Sequence, residues 1–183
     1  MIKFYRHEDP HGYYSNFSRH EVTIYDKTWP TSEHPFQAMK FHPHRSDLVE
    51  AVRLAPTPGT AARMGRDRSV PIRTDWDSNP TGLNPYGDMP ATRVPQLPQP
   101  DDQVDRRGVT AESIFARTKD VFMYEVVLAK FTQHDDLRRF LLETGNEILI
   151  EDADSDPYWG WGASKVGENK LGRILMMVRQ LVR

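Results

Sequence analysis

At 183 residues, with 38% apolar and 27% charged side chains, the chain has the length and balance of one soluble globular domain with a substantial core. A formal charge of −2 and a pI near 6.4 argue against a broad basic surface for nucleic acid, while leaving room for a local basic pocket that takes a small phosphorylated ligand. The absence of cysteine excludes disulfides, thiolate zinc sites and a cysteine nucleophile. No apolar run nears the roughly 18 residues of a membrane helix, and the first residues lack the apolar region of a signal peptide, so a cytoplasmic protein with no membrane partner is expected.

In chain order, "IKFY" (Ile2–Tyr5) and "EVTIYD" (Glu21–Asp26) read as short strands, the second alternating apolar with polar. Between them lies a tyrosine-rich loop ending in "SNFS" (Ser15–Ser18). The run "KTWPTSEHPFQAMKFH" follows, with Thr31 and Ser32 as helix caps and Glu33, Gln37 and Lys40 at helical spacing. At about 100° per residue those three form one polar stripe. Phe36 and Phe41 flank the stripe instead of lying opposite it, as the walls of a cleft would. Trp29, just before it, reads equally as core or lid.

Ser46–Ala55 is expected to be a second helix, capped by Ser46 and stopped by Pro56; Thr57–Asp67 is a short third one with Arg63 and Arg66 near its end. From about 78 to 109 the chain is dense in proline and glycine without periodicity, the signature of a long loop or insertion. Thr110–Phe131 is apolar almost all round, as a core helix is. "DLRRFLLETG" is a further helix closed by Gly145, "EILIED" a strand, and Asn169–Val182 an amphipathic last helix. The fold class is therefore α+β, predominantly helical with few short strands, in a single domain spanning 1–183.

Three places carry more polar and aromatic groups than packing requires. The first is the opening helix with Glu33, His34, Gln37 and Lys40, for which the plain alternative is a surface helix with a Glu–Lys pairing. The second is Ala61–Trp76, where Arg63, Arg66 and Arg68 have the bidentate geometry that suits phosphate; a solvated basic turn is the alternative. Trp76, at its end, reads as a core anchor or as a stacking platform. The third is "DSDPYWGWGASKVGENKLG" (Asp154–Gly172), a glycine-rich turn leading into a helix, where backbone N–H groups can meet an anion or a sugar hydroxyl. It lacks the Gly-Lys-Ser/Thr ending of a P-loop, and Asn169 reads also as the cap of the last helix. The seven histidines show no ligand spacing, so no metal site is expected.

The runs "KTWPTSEHPFQAMKF", "AARMGRDRS…W" and "YWGWG…GENKLGRILMMVR", in that order, resemble the NADAR family and, within it, the YbiA-type N-glycosidases. The resemblance spans nearly the whole chain; the Pro-rich insertion is the departure from it. It implies hydrolysis of the N-glycosidic bond of phosphorylated ribosylamino-pyrimidines, intermediates of riboflavin synthesis, without any cofactor. Two alternatives come with it: removal of ADP-ribose from guanine in nucleic acid, and a module that binds ADP-ribose without cleaving it. Retention of both Glu33 and Asp156 disfavours the last. Under the first reading Glu33 and Asp156 are the catalytic carboxylates, because an oxocarbenium-like transition state needs a carboxylate to stabilise it or to orient water. Gln37 or Lys40 would hold ribose hydroxyls or keep Glu33 ionised, with His34 also at the substrate; Arg63 and Arg66 would take the 5′-phosphate or the pyrophosphate of ADP-ribose, and Trp76 and Trp159 the base. Gly160, Gly162 and Asn169 would bring backbone and amide donors to the ribose.

Overall fold

The computed structural model describes residues 1–78 and 115–183, so the expected insertion lies, apart from Ser78, outside the described residues. Among the described residues there are four three-residue strands and six α-helices, in agreement with a mostly helical α+β fold. β1 (Ile2–Phe4) pairs in parallel with β4 (Leu149–Glu151), joining two segments far apart in sequence. β2 (Val22–Ile24) and β3 (Lys27–Trp29) form an antiparallel hairpin. Its two-residue turn, Tyr25–Asp26, has φ of 57° and 58°, the left-handed pair that a tight hairpin of this twist demands. β3 was not expected, since Lys27–Trp29 read as the approach to a helix. Trp29 is fully buried there, with its indole N–H donating to Ile24 O at 2.9 Å, which makes it core and not lid.

The helices are α1 (Glu33–Ala38), α2 (Ser46–Arg53), α3 (Pro58–Arg66), α4 (Thr118–Gln133), α5 (Asp135–Glu143) and α6 (Lys170–Leu181). Their bounds differ from expectation in places. Ser46 is the first helical residue of α2 instead of its cap, whereas Thr57 does cap α3, accepting from Thr60 N at 3.1 Å. α1 ends at Ala38, so Lys40 lies in the turn after it. α4 begins only at Thr118, whose N–H donates to Ser78 O, while Lys119 N–H donates to Trp76 O. These two bonds stitch the start of α4 to the segment that carries Trp76.

α4 is the axis of the core: Val121, Phe122, Val126, Val127 and Phe131 are all at or below 1% exposure, which explains the all-round apolar pattern. It packs against α1, α5, α6 and β2, while α1 also lies on α2 and α3 and α6 lies on β4. α6 buries Leu171, Ile174, Leu175 and Val178 and exposes Gln180 and Leu181. None of the helices among the described residues is long and apolar enough to cross a membrane.

Candidate active site

α1 is buried together with its polar groups. Glu33, Gln37 and Lys40 keep only 5%, 4% and 7% of their exposure, which rules out the surface-helix alternative. Groups so buried need partners, or the cost of dehydration is not offset. Glu33 Oε1 accepts from Gln37 Nε2 at 2.7 Å, and the Glu33 backbone N–H donates to Asn16 O at 3.1 Å. Lys40 Nζ donates to Gly65 O at 2.9 Å and stands 5.6 Å from the Trp76 ring centroid. Gly65 permits this crossing of α1 and α3: a Cβ there would fall 1.9 Å from Gln37 Oε1.

The flanking rings also find their place. Phe36 lies 5.3 Å from Trp76 and, edge-on, 5.4 Å from Trp159, centroid to centroid; Trp76 stacks on Phe122 at 5.8 Å. Together they form an aromatic wall between the core and a cavity of about 220 Å³. Glu33, Phe36, Gln37 and Lys40 line one side of that cavity, with Arg66 and Arg68 from the end of α3 and the turn after it. Trp76, Lys119 and Met123 supply the α4 side, and Glu151, Asp156 and Trp159 the β4 side. Asp77 and Leu171 also line it, and the loop of Ser15, Asn16 and Phe17 completes the lining.

That last loop is held from below by a buried lysine. Lys130 Nζ donates to Tyr13 O (2.5 Å), Ser15 O (3.0 Å) and Ser18 Oγ (2.6 Å), so its ammonium does the work of a template for "SNFS". Asn16 is then fixed by Nδ2 against Met123 Sδ at 3.0 Å. Asp156 Oδ1 accepts from the N–H groups of Tyr158 (3.0 Å) and Trp159 (2.9 Å), a local turn that sets the Trp159 ring at the cavity.

The electrostatics divide the lining. Burial pushes the Glu33 carboxyl above the usual range and Asp156 adds to this, while the Gln37 bond and the charges of Arg66 and Lys40 pull it back. Burial lowers Lys40 to about 8; Glu33 opposes the shift, and Arg68, Arg66 and Lys119 reinforce it. Burial raises Glu151 to about 8, and there Asp156 and Glu33 push the same way. Among the described residues, no group of three or more His, Asp or Glu is placed to hold a metal ion.

Of the residues singled out from sequence, Glu33, Gln37, Lys40, Arg66, Trp76, Asp156 and Trp159 come together in this cavity. Five others stand apart from its lining. His34 is core: its ring nitrogens pair with Thr31 Oγ1 (2.8 Å) and Ala55 O (3.1 Å), and burial lowers its pKa. Arg63 is exposed on α3, beside Thr60. Gly160 packs against the Glu151 carbonyl, and Gly162 adopts φ 66° against Pro157. Asn169 occupies the N-cap position of α6 but makes no capping bond. Its side chain instead clamps β4, accepting from Glu151 N at 3.0 Å and donating to Leu149 O at 2.9 Å. Sequence reasoning passed over Asn16, Lys119 and Glu151. The one local signal for Glu151 is a carboxylate that ends an otherwise apolar strand.

The chain is 35% identical over 180 residues to N-glycosidase YbiA of Escherichia coli (strain K12), covering 98% of this chain and 87% of that protein. The model of the NADAR domain matches residues 89–183. The chain belongs to the NADAR family. Another member, an N-glycosidase of Nostoc punctiforme, is 34% identical over the whole chain and 92% of its own length. The NMR structure of E. coli YbiA superposes with a TM-score of 0.69 at 36% identity, over 98% of this chain and 83% of that one. A maize chloroplastic riboflavin biosynthesis protein is 32% identical over 98% of this NADAR chain, which spans 25% of that larger protein.

Proposed function

We propose that this protein hydrolyses the bond between ribose and nitrogen in phosphorylated ribosylamino-pyrimidines. That it is a hydrolase of N-glycosyl bonds rests on near-full-length relatives that carry that name. The finer reading is carried by one observation: four carboxyl groups, a cluster of cations and two indoles share one cavity.

Leaving of the base creates positive charge on the ribose, and a carboxylate at its face stabilises it or activates the attacking water. Glu33 takes this role: it is dry and held by Gln37, and Arg66 and Lys40 work against the rise that burial imposes on its carboxyl. Asp156, across the cavity, orients the water or the sugar. Arg66 and Arg68 are the exposed cations at the rim and receive the 5′-phosphate, while Lys119 is paired with Asp77 at 2.7 Å. Trp76 and Trp159 offer faces to the pyrimidine, each such stack being worth ~1–3 kcal/mol.

One observation favours a second, larger substrate. An adjoining cavity of about 270 Å³, lined by Tyr5, Arg6 and Ser155, shares Arg66, Glu151 and Asp156 with the first. That is room for more than a mononucleotide, as removal of ADP-ribose from guanine would require. Incubation with ribosylamino-pyrimidine 5′-phosphate and, separately, with ADP-ribosylated DNA separates the two. Ribose 5-phosphate released from the first and no base restored in the second is the expected result; the reverse pattern overturns the reading.

A further inference from the structure

Two carboxyls in the cavity have no part in the scheme above: Asp77, which pairs with Lys119 at 2.7 Å, and Glu151. Glu151 ends β4, and its backbone is tied on three sides. Its N–H donates to Asn169 Oδ1 at 3.0 Å, its carbonyl accepts from Trp161 N at 2.9 Å, and Gly160 leaves no space for a Cβ beside that carbonyl, which would lie 2.7 Å away. The side chain stands where the two cavities meet. Its Oε2 is sealed from solvent and has no hydrogen-bond partner among the described residues.

An unpartnered buried oxygen next to a substrate cavity is costly as a charge and tolerable as a carboxylic acid. The groups around it decide which form is held. Asp156 faces it from the turn and Glu33 from α1; Lys40, Arg68, Asp77 and Lys119 line the first cavity, Arg6 the adjoining one, and Arg66 both. Glu33 has Gln37, Arg66 and Lys40 to favour its ionised form, whereas nothing offsets burial and like charge at Glu151, which is raised to about 8. Burial raises both carboxyls, and the one without cationic support is the one suited to hold a proton for donation.

The geometry points to Glu151 as the catalytic general acid that protonates the leaving nitrogen. The inference rests on the glycosidase reading. As the C1′–N bond breaks, its electron pair passes to the nitrogen, which takes the proton from the Glu151 carboxyl. The water oxygen bonds to C1′ and gives one proton to Glu33. That proton returns through solvent to Glu151, so each turnover consumes one water and leaves both carboxyls as they began.

Glu151→Gln keeps the shape and neutrality of the protonated side chain but cannot act as an acid. On ribosylamino-pyrimidine phosphate its kcat should fall by about 10²–10⁴-fold, with little change on a nitrophenyl riboside phosphate, whose leaving group needs no proton. In the wild type kcat should decline as pH rises through about 8, and that limb should vanish in the variant. A limb that persists belongs to Lys40, also near 8, and overturns the assignment, as does an equal loss on both substrates. Infrared difference spectra of wild type against Glu151→Gln give a readout independent of turnover. A protonated carboxyl at pH 7 is expected, and an ionised one would refute the proposal even if no substrate has been found. If the wild type cleaves neither ribosyl substrate while the protonated carboxyl is present, the substrate reading fails and the placement of the acid stands.

Discussion

The two walls of the cavity solve the burial of charge in opposite ways. On the α1–α3 wall Glu33 lies among Gln37, Lys40 and Arg66, which work against the rise that burial imposes on its carboxyl. On the β4 wall Glu151 and Asp156 stand together without that support, and Glu151 is raised to about 8. The first arrangement suits a group that must be charged when the sugar becomes cationic, and the second suits a group that must arrive with a proton. Under the proposed function, Arg66 and Arg68 would draw the phosphate and leave the base to the β4 wall.

The comparison breaks most readily at Glu33. Glu33→Gln should lower kcat by about 10²–10⁴-fold with its thermal midpoint unchanged, since a neutral amide replaces a buried charge. Full activity on the true substrate would remove Glu33 from the mechanism. A smaller effect is expected at the rim. Arg66→Ala removes a charge-assisted phosphate contact, about 1.5–3 kcal/mol, and should cut kcat/KM by roughly 10- to 100-fold through KM. The same change at Arg63, exposed on α3 and off the cavity, should leave both constants near wild type. Steady-state kinetics of the two variants side by side check this, and equal losses would mean that the phosphate lies along α3 and not at the cavity.

Much of this was legible in the sequence, and unevenly so. The core helices were, because burial by apolar residues leaves a periodic trace: α6 and the interior of α4 lie where the pattern placed them. The stripe of Glu33, Gln37 and Lys40 was legible only as an oddity, the rings beside it being the clue. Its shortness was not, nor was the hairpin of β2 and β3, whose turn uses Tyr25 and Asp26 without a glycine. His34 and Asn169 misled for one reason: their polar atoms satisfy backbone carbonyls and amides of distant segments, which no spacing records. Glu151 and Lys119 reach the cavity through tertiary packing alone, one from a parallel pairing of Phe4 with Glu151 and one from α4.

The division of labour between the walls is tested most directly by a crystal structure with ribose 5-phosphate bound. The phosphate should lie against Arg66 and Arg68, with C1′ between Glu33 and Glu151. A phosphate seated beside Glu151 and Asp156, or a sugar that leaves C1′ out of reach of Glu33, would contradict it.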